Sequence, residues 1–331
     1  MREGGCGRYG VDLIAGLRAL GAIEARVVSP RRRRDSTAAP FTPWGRRRVA
    51  RLALTWKADL VHGLHLELPH CGIPSVVTIQ DLIPLDHPAS MPSRARRLVY
   101  ERLLHSSLRR ADRVIVPSEA TASSLCRRGA DPAKVAVIPL AVGPAFRPLG
   151  EAERVRARLR FAAGHRYVAA ATGARAHKNL PGLARAAAEL ARGLGLAVVA
   201  TGPPLDGGIG SIRFLGRLSD EELRSFYGGA EALVLASHVE GFGLPALEAL
   251  ACGTPVVSGA GIGALPYLGG GAVSVDVRSP SEIAAAIERV VSDEQLRSRL
   301  VAAGLASARR LTPVAMAQAT AKVYEEVAHA A

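Results

Sequence analysis

The sequence lacks the features that mark several common classes of protein. No apolar run reaches the ~18–20 residues that a membrane helix needs, and the first ten residues, MREGGCGRYG, contain no apolar stretch of the secretory type. The four cysteines lie far apart without a C-x-x-C pair, which argues against a disulfide framework and a zinc site. We therefore expect a cytoplasmic protein without a metal site.

Acidic and aromatic residues are also scarce. Basic side chains number 43 against 29 acidic ones, for a net charge of +14, and the basic excess lies mostly in the first 150 residues. The densest arginine runs, at 31–34 and 46–51, favour an anionic partner such as a phosphorylated substrate or a membrane surface. A solvated arginine-rich loop explains them equally well. Because aromatics make up only 4% and no recognition helix is evident, we expect no nucleic-acid partner.

Apolar runs of strand length alternate with amphipathic helical patterns along the chain, as in βαβ units around parallel sheets. The predicted strands are 22–28, 59–63, 75–81, 113–117, 135–140, 167–172, 197–202, 212–216, 232–236, 255–258 and 272–277. The main predicted helices are 94–110, 181–193, 220–227 and 280–306. We predict an α/β fold with two Rossmann-like domains, at residues 1–145 and 151–310, joined by a Gly- and Pro-rich hinge and facing a central cleft.

The start of the chain departs from this pattern. Helical periodicity begins near Arg8, directly after a glycine-rich turn, whereas a doubly wound domain normally opens with a strand. We therefore expect the first N-terminal strand to be missing, either because the true start lies upstream, which we favour, or because the acceptor domain is damaged.

Residues 232–257, ALVLASHVEGFGLPALEALACGTPVV, concentrate the residue types that bind sugars and phosphates. A strand is predicted to lead into a loop with Glu240, followed by a helix from about Leu244 that ends at Gly253. Free N–H groups at such a helix start bind phosphate oxygens, and Glu240 and Glu248 can both accept hydrogen bonds from sugar hydroxyls. A helix that only packs the core would not explain Glu240 and its flanking glycines.

The string E-G-F-G-L-P-A-L-E, with its A-L-A-C-G-T-P-V-V exit, resembles the signature of glycosyltransferase family 4. These are retaining, metal-independent enzymes of the GT-B fold. TGARAHKNL at 172–180 resembles the family's phosphate loop after the hinge, and GGCGRYG near the N-terminus resembles its glycine-rich first loop. The resemblance also implies that residues 311–331 form a helix that packs back on the N-terminal domain.

The resemblance implies roles for individual residues. Glu248 would bind the ribose of a nucleotide, Glu240 would contact the donor sugar, and Lys178 with Arg175 would neutralise the departing diphosphate. The remaining implied residues are Gly173, Gly241, Phe242, Gly243 and Leu244 for donor binding, and Gly4, Gly5 and Gly7 for the N-terminal loop. The implied donor is a UDP- or GDP-linked sugar, with no cofactor or metal.

The chain departs from the family at Gln80, which stands where T-x-H-D-L would place a histidine beside the donor sugar. The amide can donate a hydrogen bond but does not titrate near pH 7. We predict a retaining hexosyltransferase, for mannose or glucose, that acts on a glycan or lipid-linked acceptor in cell-envelope polysaccharide synthesis. The alternatives are a catalytically impaired GT-B protein that acts as a binding partner, or another GT-B enzyme such as a nucleotide-sugar epimerase.

The helix predicted at 94–110 also offers a peripheral contact with an anionic membrane, at its inner face. Arginines alternate there with an apolar stripe formed by Leu98, Val99, Leu103, Leu104 and Leu108. An apolar stripe at this spacing is equally typical of a helix that packs on a core.

Overall fold

The structure is a computed structural model that describes residues 4–21, 23–28, 43–91, 93–202 and 209–329. It divides into two units. The first comprises Met1–Ala141 together with Pro313–Ala331, and the second comprises Val142–Thr312. The division falls at the start of the predicted hinge, and it places the last helix with the N-terminal part of the chain.

Helices and strands alternate through most of the described chain. The helices are α1 (Gly4–Leu20), α2 (Pro43–Thr55), α3 (Ile83–Asp86), α4 (Arg94–Arg110), α5 (Glu119–Cys126), α6 (Glu151–Ala162), α7 (Leu180–Leu194), α8 (Asp220–Gly228), α9 (Leu244–Ala251), α10 (Pro280–Ser292), α11 (Glu294–Arg310) and α12 (Pro313–His329). The strands are β1 (Val61–Gly63), β2 (Ser75–Thr78), β3 (Arg113–Val116), β4 (Val135–Val137), β5 (Tyr167–Ala171), β6 (Ala197–Thr201), β7 (Ile212–Phe214), β8 (Leu233–Leu235), β9 (Val256–Gly259) and β10 (Ala272–Val275).

The first unit contains a parallel sheet in the order β1-β2-β3-β4. No strand precedes β1 in the described residues. The predicted strand at 22–28 is wrong for residues 23–28, which form none, while Ala22 lies outside the described residues. Val27 and Val28 are exposed. A β-ladder requires a neighbouring strand for its hydrogen bonds, and the alternation of side chains alone does not supply one.

The N-terminal glycines do not form the predicted loop. Gly4, Gly5 and Gly7 lie in the first turn of α1. Tyr9, Leu13 and Leu17 recur at helical spacing and are buried, so tertiary packing outweighs the poor helix propensity of glycine. The buried face of α1 packs against α12.

The contact between α1 and α12 depends on Gly16. A Cβ at this position would lie 2.1 Å from the carbonyl oxygen of Pro313 and 2.7 Å from Cβ of Ala317. We expect Gly16→Ala to lower the free energy of unfolding by about 1–3 kcal/mol, because α12 must shift to relieve an overpacked contact. Thermal unfolding measures the effect. Gly193→Ala is the matched control, since that helical glycine has no atom within 4 Å of an added Cβ, and equal melting temperatures for the two variants would contradict the expectation.

The second unit contains a parallel sheet in the order β10-β9-β8-β5-β6-β7. Numbered within the unit and read from β7, this is the Rossmann order 3-2-1-4-5-6. The order reverses between β5 and β8, which are direct neighbours. The loops that follow these two strands therefore leave the sheet side by side at its carboxyl edge, where open α/β sheets bind ligands.

One helical prediction needs correction. The stretch 280–306 is two helices, because Asp293 leaves the helical conformation and its carboxylate caps α11 by accepting the N–H of Leu296 at 2.8 Å.

Of the two explanations given for the arginine runs, the solvated loop is wrong for residues 46–51. Arg46, Arg47, Arg48 and Arg51 lie on α2. There the buried Ala50 and Ala53 provide an inward face. The run at 31–34 lies outside the described residues.

The predicted apolar stripe of α4 is split between two faces. Leu104 is fully buried, whereas Leu98 and Val99 are 53% and 55% exposed. The helix rotates 100° per residue, so positions 98 and 99 fall on the face opposite Leu104. No helix in the described ranges is long and apolar enough to cross a membrane. Membrane contact through α4 stays a prediction.

Candidate active site

The loop after β5 carries Lys178 and is tied to the helix that follows it. Residues Ala176–Lys178 form a single 3-10 turn, and Asn179 then adopts a left-handed conformation (φ 48°). The side chain of Asn179 caps α7 by accepting the N–H of Gly182 at 3.3 Å, and its amide donates to the carbonyl of Val277 at 2.6 Å. These bonds fix the end of the loop.

The loop after β8 carries Glu240 and is held on both sides by backbone hydrogen bonds. The N–H of Glu240 donates to the carbonyl of Gly261 at 3.0 Å, and the carbonyl of Glu240 accepts the N–H of Gly263 at 3.2 Å. The N–H of His238 donates to the carbonyl of His177 at 2.8 Å and so joins this loop to the one that carries Lys178. The two loops form one connected rim at the switch point.

Lys178 and Glu240 meet on this rim as an ion pair. Nζ of Lys178 lies 2.5 Å from Oε1 of Glu240, and the hydroxyl of Ser237 donates to the same oxygen at 2.6 Å. Both bonds use Oε1, and within the described chain no partner is found for Oε2. The side chains are 24% and 14% exposed, so a ligand can reach them while most bulk water is excluded.

Glycines allow the close approach that this rim requires. A Cβ on Gly261 would lie 2.1 Å from the carbonyl oxygen of His238. Gly243 has φ +102°, and a Cβ there would lie 2.6 Å from Cγ2 of Ile262. Gly243 is the N-cap residue of α9, and Pro245 follows in its first turn, as predicted.

Glu248 lies in the middle of α9 and is only 1% exposed. Burial, and then the negative charge of Glu248, raise the pKa of the Cys252 thiol to about 12. Phe242 and Leu244, at the start of the helix, are buried. The ring centroids of Phe242 and Tyr267 lie 5.9 Å apart, so the two aromatic side chains pack against each other beside the loop.

The other predicted donor residues lie nearby in the sequence but are less constrained. Arg175 is exposed and precedes the 3-10 turn. Gly173 and Gly241 are half-buried, and nothing lies within 4 Å of a Cβ added to Gly173. These positions leave room at the rim for a ligand.

Gln80 lies in the first unit, two residues after β2. It is 9% exposed, and its Nε2 is buried with no hydrogen-bond partner in the described part of the chain. An unpaired buried amide costs free energy, so Gln80 is a donor in need of an acceptor. The N-terminal glycines, for which the resemblance implies a separate loop, lie in α1.

A chain of hydrogen-bonded polar groups ends on Thr78, two residues before Gln80. The His62 ring is hydrogen-bonded to Oη of Tyr324 at 2.6 Å through Nδ1 and to Oγ1 of Thr78 at 2.8 Å through Nε2, and Oη of Tyr9 lies 2.9 Å from the same Oγ1. Burial lowers the pKa of His62 to about 3, so the imidazole stays neutral at physiological pH. The network links α12 and α1 to the strand that ends near Gln80.

Sequence reasoning missed several residues that build the site. Ser237 holds the carboxylate of Glu240, three residues further along the chain. Asn179 and Gly261 fix the two loops through hydrogen bonds with Val277 and Glu240, which lie far from them in the sequence. Only Asn179 had a local signal, since an asparagine before Leu-Pro is typical of a helix N-cap. Within the described ranges, no three His, Cys, Asp or Glu side chains come close enough together to hold a metal ion.

Comparison with known proteins relates both parts of the chain to sugar transfer. The family model described as Glycosyltransferase Family 4 matches residues 3–146, and the one described as Glycosyl transferases group 1 matches residues 206–306. The second match contains both Glu240 and Glu248. Together the two matches span most of each unit.

Individual relatives are similar over most of the chain. The O-antigen chain mannosyltransferase B of Escherichia coli is 29% identical over 283 residues, which are 80% of this chain and 74% of that protein. The D-inositol 3-phosphate glycosyltransferase of Streptomyces bingchenggensis is 29% identical over 297 residues, which are 82% of this chain and 62% of that protein. The second alignment thus leaves more than a third of the relative unmatched.

The fold is shared with a solved structure at low sequence identity. Alr3699/HepE of Anabaena, in complex with UDP and glucose, superposes with a TM-score of 0.74 at 18% identity and covers 98% of this chain and 96% of that one. The predicted fold class is confirmed. The chain belongs to the group 1 glycosyltransferases of glycosyltransferase family 4, and it has the GT-B fold.

Proposed function

We propose that this glycosyltransferase moves a hexose, mannose or glucose, from a UDP- or GDP-linked donor to a glycan or lipid-linked acceptor of the cell envelope. The reaction retains the anomeric configuration and uses no metal. The observation that carries the proposal is the Lys178–Glu240 ion pair at the switch point of the second sheet, with one carboxylate oxygen open. The names of the Escherichia coli relative and of the Anabaena complex support the sugar and the nucleotide.

In this proposal Lys178 acts on the leaving group. The bond between the sugar C1 and the diphosphate oxygen breaks, and negative charge grows on that oxygen. The ammonium group of Lys178 leaves Glu240, pairs with the phosphate and stabilises this charge. Preorganised charges stabilise transition states in the same way in many enzymes. The acceptor hydroxyl attacks C1 from the same face, and its proton passes to the departing phosphate oxygen.

Glu240 holds the donor sugar in this scheme. Once Lys178 binds the phosphate, the hydroxyl of Ser237 still donates to Oε1 and keeps the carboxylate oriented. Its Oε2 accepts a hydrogen bond from a sugar hydroxyl. A charge-assisted bond of this kind is about twice as strong as a neutral one, so it contributes to both affinity and orientation.

Thermal unfolding with UDP, GDP or ADP tests the donor site. A nucleotide present at ~100 times its Kd stabilises the protein by about 2.7 kcal/mol, which raises the melting temperature by several degrees in domains of this size. We expect a rise with UDP or GDP but not with ADP. No rise with any nucleotide would contradict the proposed donor class.

Glu248→Ala is expected to weaken binding of that nucleotide by about 1–3 kcal/mol, because ribose hydroxyls lose a charged acceptor. Titration of the nucleotide into both proteins measures the change. Glu288→Ala, which removes an exposed carboxylate on α10, is the matched control. Equal affinities for wild type and Glu248→Ala would exclude the ribose role.

A second candidate function is a GT-B protein that binds a nucleotide sugar without transferring it. Gln80 favours this second function. It stands where the family pattern has a titratable histidine, and its amide lacks a partner among the described residues. The two functions differ in one measurement. If UDP or GDP raises the melting temperature while a radiolabelled donor releases no sugar to any envelope extract, the binding function is preferred.

A further inference from the structure

A strongly basic pocket lies in the first unit between α2 and α4. It has a volume of about 880 Å³, and five arginines and a histidine line it. These residues are Arg46, Arg47, Arg51, His70, Arg109 and Arg110. A hollow of this size accommodates a small molecule. Its other lining residues, Ala50, Leu54, Thr55 and Ser106, are uncharged, so its charged lining is basic only.

Three of the five pocket arginines are not paired with an acidic side chain in the described ranges. These are Arg46, Arg51 and Arg109. Burial, then the charges of Arg46 and Arg109, lower the pKa of Arg110, a sign of crowded like charge. The carboxylate of Glu67 interacts electrostatically with Arg46 and Arg110. Because burial raises the pKa of Glu67 to about 7, this carboxylate is only partly ionised at neutral pH.

The pocket is separate from the end of the sheet that carries Gln80. Arg110 lies at the amino end of β2, where its carbonyl accepts the hydroxyl of Ser75 at 3.1 Å. Gln80 follows the carboxyl end of the same strand. Five residues of extended chain separate Ser75 from Gln80, which is roughly 16 Å.

Arginine geometry indicates which anion fits. The guanidinium group is planar and binds phosphate oxygens through two parallel hydrogen bonds. Arg47 and Arg51 lie 40° apart around α2, and Arg46 lines the hollow from an adjacent side of the same helix. Arg109 and Arg110 line it from the end of α4, where Nη2 of Arg110 also donates to the carbonyl of Leu68 at 3.2 Å. Guanidinium groups from both α2 and α4 line the hollow, an arrangement that suits a phosphoryl anion with more than one negative charge.

We propose that this pocket is an anion site that binds a multiply charged phosphoryl group, in addition to the donor site of the second unit. The ligand is either a soluble phosphorylated molecule or the phosphate headgroup of a lipid. Both present the same oxygens to the arginines. Anion binding at this site requires neither nucleotide nor sugar. The proposal can therefore be tested independently of the proposed transfer reaction.

The first experiment titrates inorganic pyrophosphate into the full chain by calorimetry. Three variants are compared with wild type: Arg51→Gln with Arg109→Gln, which changes two exposed pocket arginines; Arg192→Gln with Arg289→Gln, a charge-matched control on α7 and α10; and Lys178→Met, which disables the diphosphate contact of the donor site. We expect the pocket variant to bind pyrophosphate at least tenfold more weakly than wild type. The Arg192→Gln, Arg289→Gln control and Lys178→Met should both keep the binding that the pocket variant loses. Equal binding by the pocket variant and the control would overturn a pyrophosphate site.

The second experiment identifies the source of the phosphoryl group. The same proteins are sedimented with vesicles that contain phosphatidic acid, whose phosphomonoester can carry two negative charges, and with vesicles of phosphatidylcholine alone. Loss of phosphatidic acid binding in the pocket variant alone supports a lipid headgroup, and pyrophosphate binding without vesicle binding supports a soluble ligand. If neither pyrophosphate nor phosphatidic acid binding depends on Arg51 and Arg109, the proposal is wrong.

Discussion

Replacing Lys178 by methionine is expected to lower the rate of sugar transfer by ~10²–10³-fold, the loss seen when one preorganised electrostatic stabiliser is removed from an active site. Methionine retains the length and apolar stem of lysine but not its charge. The charge that develops on the leaving diphosphate would then lack its partner. Because the interaction strengthens as that charge grows, kcat should fall more than KM rises.

The control for this variant is Lys322→Met, which removes an exposed lysine from α12. It should leave the transfer rate unchanged. Circular dichroism and the melting temperature report whether each variant is folded. Transfer by Lys178→Met within threefold of wild type would exclude Lys178 from stabilising the leaving group.

Replacing Gly261 by alanine is expected to destabilise the second unit by about 1–3 kcal/mol and to abolish the nucleotide-induced rise in melting temperature. The added Cβ would lie 2.1 Å from the carbonyl oxygen of His238, and backbone cannot rotate away as a flexible side chain can. The hydrogen bond from the N–H of Glu240 to Gly261 would be strained as the two segments separate. Glu240 would then leave its position beside Lys178.

Gly193→Ala is again the matched control. Its added methyl group meets no neighbour, and alanine is the better helix former by about 0.5–1 kcal/mol, so this variant should be as stable as wild type or more so. Transfer activity and nucleotide response should be unchanged in the control. A Gly261→Ala protein with normal stability and a normal nucleotide response would show that the close approach is not required.

Local patterns in the sequence predicted much of the second unit. The strands from β5 to β10 each fall within or beside a predicted run, because buried parallel strands are short apolar segments bounded by glycine, proline or polar residues. The start of α9 was predicted as well, since Pro245 and the glycines before it act locally. Such signals require no knowledge of distant residues.

The errors lie where distant residues decide the structure. Gly4, Gly5 and Gly7 have a turn-like sequence, but the packing of α1 on α12 makes them helical. Val27 and Val28 have strand propensity, but the described chain offers them no neighbouring strand. In both cases the partner lies far away in the chain or is missing from the described residues, and a local window contains no information about it.

The sequence by itself determined the alternation of strands and helices, the motif that contains Glu240 and Glu248, and the resemblance to a family of glycosyltransferases. These follow from local chemistry, because propensity, capping and motif spacing act within a few residues. Only the tertiary structure decided that Lys178 and Glu240, 62 residues apart, form an ion pair. The physical reason is the order of the strands: β5 and β8 are neighbours at the switch point, so the loops that follow them bring the two side chains together.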